Sequence, residues 1–251
     1  MTEFRLLETG FLDAFTNMAI DEAVMQLHKK GDLPTVRFYG WKPHAVSIGY
    51  FQGIEEEINL ERAKELDVDV VRRITGGGAV FHEHELTYSF VCSEESKVVP
   101  KNVLESYNKI CSGIVNGLEN LKVESGFAPL NDIIVNGKKI SGNAQTRRLG
   151  NVLQHGTLLL EVSVDKMFSL LKVPDEKMRG KIVQSVKKRV TSLELETMRE
   201  HSFLDVANAM QTGFEKTFDA KLVLSELTSE EKKLAETLRE KFAGKDWNFK
   251  R

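Results

Sequence analysis

A short stretch near the middle of the first half of the chain combines positive charge with glycine in a way that suits an anion. It reads RRITGGGAVFH and runs from Arg72 to His82. Its glycines lack a Cβ, so the backbone can approach a ligand closely and direct several N–H groups into one cavity. An arginine guanidinium can grip a phosphate or a carboxylate through two hydrogen bonds. The stretch predicts an anion-binding loop, although a plain turn with two surface arginines gives the same pattern.

A second stretch, GKKISGNAQTRRLGNVLQHGTLLL, begins at Gly137 and brings lysines and a histidine among small residues. A lysine is a compact point charge, which is useful where negative charge develops in a transition state. Neighbouring side chains on a strand point to opposite faces, so only one of Lys138 and Lys139 can face a cavity, and we expect Lys139. Taken alone, Lys139 also fits a surface hairpin, and His155 fits a hydrogen-bonded core histidine.

Composition argues against several other classes of protein. The net charge of −2 gives no reason to expect nucleic-acid binding. Cys92 and Cys111 show neither CxxC spacing nor histidine partners at metal-ligand spacing, which makes a zinc site improbable. The N-terminal residues carry acids where a signal peptide needs a basic start, and no apolar stretch reaches the length of a membrane span. We therefore expect a cytoplasmic protein that binds neither nucleic acid nor membrane.

The elements that must position the two stretches are a mixture of strands and helices. A strand is predicted on each side of the glycines, and Asn136-Gly137 predicts a tight turn between two strands. The segments TVRFYGW and AVSIGYF are predicted to pair with each other. Helices are predicted to begin at Thr16 or Asn17 and at Ser229. Because strands and helices do not alternate strictly, the sequence predicts an α+β fold with a mixed, largely antiparallel sheet flanked by helices.

With these motifs the chain resembles the lipoate-protein ligase family, whose relatives include biotin ligases and the octanoyltransferases of the lipoyl pathway. The resemblance rests on the doubled arginine, TGGG, AVFH, GKKISGNAQ and HGTLLL, and extends to NMAIDEA, SIGYFQ, SVKKRVTSL and DWNF. It implies the catalytic fold of biotin and lipoate ligases, in one domain over residues 1–251. Many family members carry a small accessory domain after a WNF-like motif, which here is followed only by Lys250 and Arg251. We expect no such domain in this chain, and a separate accessory subunit is left open.

The resemblance implies an ATP-dependent ligase that uses ATP and Mg²⁺ and takes lipoate as its substrate. The lipoate carboxylate would attack the α-phosphate of ATP, and the lipoyl-adenylate would then acylate a lysine of a lipoyl-carrier domain. The expected carriers are the lipoyl domains of 2-oxoacid dehydrogenase complexes and the H protein of glycine cleavage. The enzyme would mainly align its substrates and stabilise charge.

The family's functional residues carry over onto the matching motifs of this chain, with Lys139 as the catalytic residue and Asp132 as a candidate Mg²⁺ ligand. Gly78 is expected to give the ligand room, and Gly76 to adopt a backbone angle open only to glycine. Val46, Ile48 and Val80 are expected to line an apolar slot. The predicted nucleotide contacts are Arg73, Gly76, Gly77, Gly78, Ala79, Val80, Phe81, Asp132 and Lys139. The predicted lipoate contacts are Arg73, Val80, His82, Lys139, His155 and Gly156.

Two other functions fit parts of the pattern. An octanoyltransferase moves an acyl chain from a carrier protein through a cysteine thioester, and this chain shares FYGW, GYFQ and QTR with that group. However, the matching regions ESGFAPLND and GNVLQHG contain no cysteine, while Cys92 and Cys111 lie outside the motifs as expected core residues. This absence favours the ligase. The third candidate, a non-catalytic lipoate-binding subunit, is disfavoured by the intact arginine, glycine and lysine motifs.

Overall fold

The computed structural model describes residues 2–173 and 176–250, so the predicted domain over residues 1–251 includes four residues outside that description. Strand-forming runs of β-branched and aromatic residues become extended, as their side chains favour. The strands are β1 (Thr2–Leu12), β2 (Thr35–Trp41), β3 (Ala45–Ile48), β4 (Asp69–Arg72), β5 (Val80–His82), β6 (Glu85–Ser93), β7 (Gly126–Ala128), β8 (Asp132–Val135), β9 (Lys138–Arg148), β10 (Asn151–Leu159) and β11 (Ala220–Ser225).

Most of the longer helices begin at a side chain that accepts hydrogen bonds from the first turn, which satisfies N–H groups that lack partners inside the helix. The cap of the first helix is Asp13 and that of the ninth is Thr228, so the predicted caps at Thr16 or Asn17 and at Ser229 were wrong by one to four residues. The helices are α1 (Ala14–Leu27), α2 (Ile54–Glu57), α3 (Leu60–Glu65), α4 (Val103–Asn120), α5 (Val164–Leu170), α6 (Arg179–Arg189), α7 (Leu193–Thr197), α8 (Phe203–Phe218), α9 (Ser229–Ala243) and α10 (Lys245–Asn248).

Within the described residues, the strands form a large sheet in the order β11-β1-β2-β6-β10-β9-β8-β7 and a small sheet in the order β4-β3-β5. Only the pairs at the β11-β1-β2 edge of the large sheet are parallel, and the remaining pairs of that sheet are antiparallel. This confirms the predicted α+β class with a mixed, largely antiparallel sheet. No helix in the described part of the chain is both long and apolar enough to cross a membrane.

The predicted pairing of β2 with β3 is wrong. Both edges of β2 are already occupied, one by β1 and the other by β6. The chain therefore leaves the large sheet after Trp41, and β3 pairs with β4 and β5 in the small sheet. This change of sheet matters for the site. It places β3 and residues 75–78, called the glycine turn below, opposite the large sheet.

Helices cover both faces of the large sheet. Helices α4 and α8 pack on one face over a core that includes Phe38, Tyr88 and Phe214, and α1 and α9 pack on the other. The two helices α4 and α8 approach closely because glycines meet at their contact: a Cβ on Gly213 would lie 2.2 Å from the carbonyl oxygen of Gly113. The sheet is thus held rigidly between two layers, and the small sheet is left beside it.

The end of the described chain is attached to the strand that leads into the glycine turn. The Asn248 side chain accepts a hydrogen bond from the backbone N–H of Arg72 at 2.7 Å, and its carbonyl accepts one from the Arg72 guanidinium at 2.7 Å. The indole N–H of Trp247 donates to the carbonyl of Arg72 at 2.8 Å. Arg72 is fully buried and also donates to carbonyls of residues 49, 50 and 52. Arg72 therefore links β4 to the α10 segment, which is a structural role rather than a ligand-binding one.

Candidate functional site

A cleft of about 170 Å³ is lined by residues of both sheets. Both predicted stretches contribute to its wall, so residues far apart in the sequence meet as expected. The predicted site residues that line it are Arg73, Gly77, Gly78, Ala79, Val80, His82, Lys139, His155 and Gly156. Further lining residues that the sequence did not single out are Met18, Tyr39, Trp41, Ser47, Thr87, Asn131, Gly142, Asn143, Ala144 and Thr157.

Three predicted residues, Gly76, Phe81 and Asp132, lie outside this lining. Phe81 lines a second cleft of about 200 Å³, whose apolar side chains include Val186 and Val190. Asp132 reaches the site only through its ion pair with Lys139. The two clefts adjoin each other, and both are lined by Ala79, Val80, Lys139, Gly142 and Thr157.

Arg73 fixes the shape of the glycine turn by hydrogen-bonding to its backbone carbonyls. It is buried, and its guanidinium donates to the carbonyls of Gly76 at 2.7 Å and Gly78 at 2.8 Å. It also donates to Thr75 Oγ1 at 3.2 Å, and to the carbonyl and hydroxyl oxygens of Ser47 at 3.1 and 3.3 Å. Burial lowers the pKa of Arg73 to about 10, so it still carries its charge at neutral pH. The turn is thus held with its carbonyls toward Arg73.

Two glycines of the turn, Gly77 and Gly78, line the cleft. No acceptor in residues 2–173 or 176–250 takes their backbone N–H groups. Backbone N–H groups fixed around a cavity form a binding place for an oxyanion. The anion-binding loop stays a prediction, with these two N–H groups as its candidate donors.

The glycine that needs a special backbone angle is Gly77, with φ of +95°, and not Gly76 as expected from the sequence. A Cβ on Gly76 would meet nothing within 4 Å. We therefore predict that Gly76→Ala changes the free energy of unfolding by less than about 0.5 kcal/mol. Gly77→Ala should cost about 1–3 kcal/mol, because alanine is strained at this angle. Thermal melting of the two variants tests this, and equal melting temperatures would contradict it.

The strand β3 faces the cleft with its polar residue. Val46 and Ile48 were expected to line an apolar slot, but they point into the core beneath the small sheet with Ile54 and Ile58. Because side chains alternate along a strand, Ser47 takes the position toward the cleft instead. Val80 does line both clefts, and its contact with an acyl chain stays a prediction.

Lys139 lines both clefts, whereas Lys138 lines neither. The Nζ of Lys139 lies 2.7 Å from Oδ1 of Asp132, and both side chains are partly exposed. The lysine stem passes over Gly142, where an added Cβ would lie 2.8 Å from Nζ. The hairpin of β8 and β9 turns at Asn136 and Gly137, both with positive φ, as the sequence predicted. This turn sets the register that aims Lys139 into the cleft.

His155 belongs to a buried polar network at the floor of the cleft. Its Nδ1 lies 3.1 Å from Oδ2 of Asp21, and its Nε2 lies 2.6 Å from the hydroxyl of Thr75. Burial lowers the pKa of His155, so its imidazole is neutral near pH 7. Burial raises the pKa of Asp21, but the hydrogen bond from His155 and the charge of Arg37 outweigh this, so the net shift is downward.

His82 forms a second chain of hydrogen bonds, which opens onto the cleft. Its Nδ1 lies 2.7 Å from Oε1 of Glu85, and its Nε2 lies 2.8 Å from the Ser47 hydroxyl. Glu85 also accepts from the Thr87 hydroxyl at 2.5 Å, and Thr87 accepts from the indole of Trp41 at 2.8 Å. The Trp41 ring stacks on His82 at 4.0 Å. The spacing of His82 and Glu85 in the sequence could have indicated this pair, but Ser47 could not be linked to it without the fold.

The wall opposite the glycine turn depends on the absence of a side chain at Gly156. A Cβ there would lie 2.0 Å from Oδ1 of Asn143, which accepts a hydrogen bond from the Tyr88 hydroxyl at 2.7 Å. The Asn143 amide in turn donates to the carbonyl of Asn131 at 2.9 Å. Gly156, predicted as a substrate contact, thus also lets Asn143 sit in the wall.

Neither cysteine is placed for nucleophilic chemistry. Cys92 and Cys111 are both buried, and neither lines either cleft. Burial raises the pKa of Cys92 to about 11 and that of Cys111 to about 12, so the reactive thiolate is scarce at neutral pH. This agrees with their prediction as core residues. In the described ranges of the chain, no three His, Cys, Asp or Glu side chains converge as a metal site would require, around Asp132 or elsewhere.

Comparison with known proteins places the chain among enzymes of lipoyl attachment. Residues 13–215 match the model of the lipoyl protein ligase A/B catalytic domain. Octanoyltransferase LipM of Geobacillus kaustophilus is 38% identical, with 99% of this chain and 98% of the relative covered. Octanoyltransferase LipM of Brevibacillus brevis is 37% identical, with both chains fully covered. Among solved structures, a bipartite lipoate protein ligase of Thermoplasma acidophilum superposes with a TM-score of 0.91 at 33% identity, covering 99% of this chain and 97% of that one.

These comparisons confirm the predicted resemblance and fold, but they correct the predicted reaction. The curated relatives that align along the full length are octanoyltransferases, so the prediction of an ATP-dependent lipoate-protein ligase is wrong. The ATP and Mg²⁺ predicted as its cofactors are withdrawn for the same reason. The segment ESGFAPLND lacks a cysteine, as a ligase would, whereas FYGW, GYFQ and QTR are shared with the transferases.

Proposed function

Because the chain belongs to the lipoyl protein ligase A/B catalytic domain family, we propose that it is an octanoyltransferase. It takes an octanoyl group from the thioester of a carrier protein and transfers it to the ε-amino group of a lysine on a lipoyl-carrier domain. The observation that carries the proposal is the full-length similarity to octanoyltransferases at up to 38% identity. The two adjoining clefts offer space for an acyl chain and its carbonyl group.

The chemistry of the cleft supports acyl transfer. Attack on a thioester carbonyl places negative charge on the carbonyl oxygen, and fixed donors stabilise that charge most effectively. Lys139, Gly77 and Gly78 line the same cleft, so the lysine and the two glycine N–H groups are the candidates for those donors. Apolar surface from Met18, Ala79 and Val80 is available to an acyl chain.

The acceptor in this proposal is a lysine on a lipoyl domain of a 2-oxoacid dehydrogenase complex or on the H protein of glycine cleavage. The solved ligase of Thermoplasma acidophilum is described with its E2 lipoyl domain, and it is similar to this chain over nearly its whole length. A folded acceptor domain presents its lysine on a surface loop, and the open mouths of the clefts suit such an arm.

The experiment that tests the function mixes the protein with an octanoyl-charged acyl carrier protein and an apo lipoyl domain, without ATP. The expected result is a gain of one octanoyl group on the lipoyl domain by intact mass. A lipoyl domain whose acceptor lysine is changed to arginine is the control and should stay unmodified. A second arm supplies free octanoate or lipoate with ATP and Mg²⁺. Transfer in that arm alone, with none from the charged carrier, would overturn the proposal.

We predict that transfer survives the loss of both thiols. In the double variant Cys92→Ala, Cys111→Ala, the rate should stay within a few-fold of wild type, because neither sulfur reaches a cleft. Stability should fall, since each change leaves a small void in the core. The transfer assay, run at a temperature where the double variant is folded, checks this. A rate loss of about 10³-fold or more would identify one sulfur as the acyl acceptor.

A further inference from the structure

The proposed transfer raises the question of which group on the enzyme receives the acyl chain. Covalent transfer needs a nucleophile within reach of a base, and the base is usually oriented by a third group. The two cysteines are buried away from both clefts, and residues 124–132, where the transferase resemblance requires a thiol, contain none. A different side chain must accept the acyl group if the reaction passes through an acyl-enzyme.

Ser47, His82 and Glu85 have the geometry of such a set. The Ser47 hydroxyl lies 2.8 Å from Nε2 of His82, and Nδ1 of the same ring lies 2.7 Å from Oε1 of Glu85. Both distances are within the range expected for nucleophile, base and orienting carboxylate. On the antiparallel strands β3 and β5, Ser47 lies opposite Val80 and His82 lies opposite Ala45, so Ser47 and His82 are diagonal neighbours whose separation the strand pairing limits. Both side chains line the cleft.

One tautomer of His82 satisfies all of these contacts. With its proton on Nδ1, the ring donates to Oε1 of Glu85 and leaves Nε2 as an acceptor. Arg73 can only donate, and its guanidinium contacts the Ser47 oxygen at 3.3 Å. In this tautomer the serine hydroxyl donates its own proton to Nε2. This is the arrangement in which a histidine accepts the proton of an attacking hydroxyl.

A similar set in the same protein lacks one requirement. Thr75, His155 and Asp21 are also linked by hydrogen bonds, at 2.6 and 3.1 Å. However, Thr75 is fully buried and does not line the cleft, so its hydroxyl meets no substrate. In the described part of the chain, the set built on Ser47 is the one whose hydroxyl faces the cleft.

We propose that Ser47 is the acyl acceptor, resting on the transferase function proposed above. The serine oxygen attacks the thioester carbonyl while its proton passes to Nε2 of His82. The carbon–sulfur bond breaks, and the leaving thiol of the carrier takes that proton, which leaves an octanoyl ester on Ser47. The neutral amine of the target lysine then attacks the ester, loses a proton to His82, and the serine oxygen leaves and regains the proton. Every proton taken by His82 is returned, and no oxidant or further reactant is needed.

The surroundings of Ser47 favour this chemistry electrostatically. The buried charge of Arg73 lies beside the serine oxygen and stabilises negative charge that develops on it. The stacked Trp41 ring and the bond to Glu85 hold the His82 plane in place. Glu85 acts through His82, and is therefore a positioning residue.

The test incubates the protein with octanoyl-charged acyl carrier protein and no lipoyl domain, quenches it in acid, and measures its intact mass. The expected result is one octanoyl group bound, which peptide mapping places on Ser47. An oxygen ester should resist neutral hydroxylamine and be cleaved by alkaline hydroxylamine, whereas a thioester is cleaved by both. Ser47→Cys should still be acylated, but with a label removed by neutral hydroxylamine. This variant keeps the test meaningful if Ser47→Ala fails to fold.

Matched variants separate a chemical role from a structural one. Ser47→Ala should lose the label and slow transfer by about 10³-fold or more. Ser106→Ala deletes a hydroxyl that is equally buried but lies on α4 away from both clefts, and should keep label and rate. Glu85→Gln should slow single-turnover acylation at saturating donor while leaving the half-saturating donor concentration unchanged.

The outcomes distinguish this inference from the proposed function. If wild type octanoylates the lipoyl domain but carries its label on another residue, or carries none at any quench time, Ser47 is not the acceptor and the transferase function stands. If the charged carrier supports no transfer at all, the proposed function fails first. A label on Ser47 that a subsequent addition of lipoyl domain removes, with octanoyl appearing on that domain, supports both.

Discussion

Changing Lys139 to alanine is expected to slow octanoyl transfer by about 10²- to 10³-fold, the usual cost of removing one donor to a developing oxyanion. Lys139 lies on β9 and lines both clefts. Its Nζ lies 2.7 Å from Oδ1 of Asp132, and the absence of a side chain at Gly142 leaves room for the lysine stem. Its loss leaves the fold intact, because the side chain is 41% exposed. The measurement is the steady-state rate with octanoyl-charged carrier and lipoyl domain.

Lys138→Ala is the matched control for this prediction. Lys138 is adjacent in the sequence but exposed, and it lines neither cleft. Its variant should transfer at a rate close to wild type. A dead Lys138 variant beside an active Lys139 variant would show that the strand presents its other face to the substrate. Activity in both variants would remove lysine from the mechanism.

Changing Gly49 to alanine is expected to disrupt the site and to destabilise the protein. An added Cβ would lie 1.9 Å from the carbonyl oxygen of Gly77, a distance that no relaxed structure keeps. Either β3 or the glycine turn must shift, and this turn carries the donors on Gly77 and Gly78. Overpacking of this kind costs about 1–3 kcal/mol, which lowers Tm by roughly 2–12 °C in a protein of this size. Thermal melting and the transfer assay measure the two effects.

Gly78→Ala provides the comparison, since an added Cβ there meets nothing within 4 Å and the residue does not have a positive φ. Its melting temperature should match wild type. Because Gly78 lines the cleft, its methyl group should instead weaken the binding of the charged carrier. If Gly49→Ala melts and turns over like wild type, the close approach between β3 and the turn does not exist in solution.

Local signals in the sequence were sufficient for most of the elements. The hairpin at Asn136-Gly137 follows from two residues that both tolerate positive φ, and the structure has that angle at both. The caps were missed because Asp13 competes with Thr16 and Asn17 for the same role, and only the packed helix decides among them. The choice of partner for β3 is not local either, since it depends on β1 and β6 occupying both edges of β2.

The candidate site, like the fold, was predictable from the sequence only in part. Charge and glycine predicted that Lys139 and the turn at Gly77 would meet, and both line one cleft. Ser47 was passed over in favour of its apolar neighbours, because the sequence does not tell which face of a short buried strand meets a cavity. The reaction could not be derived from motifs that ligases and transferases share, since the same cationic loop suits an adenylate and a thioester oxyanion equally.

The hydrogen bonds that join Arg72 to Trp247 and Asn248 constrain the order in which parts of the chain can fold. Arg72 and Asn248 are 176 positions apart, and each satisfies backbone groups of the other's segment. A nascent chain that has emerged only as far as α8 already contains every residue proposed here for binding and transfer. However, its β4 still lacks the partner for the Arg72 N–H, which costs free energy in a buried position. We therefore expect the glycine turn to become fixed only after α10 has packed against β4.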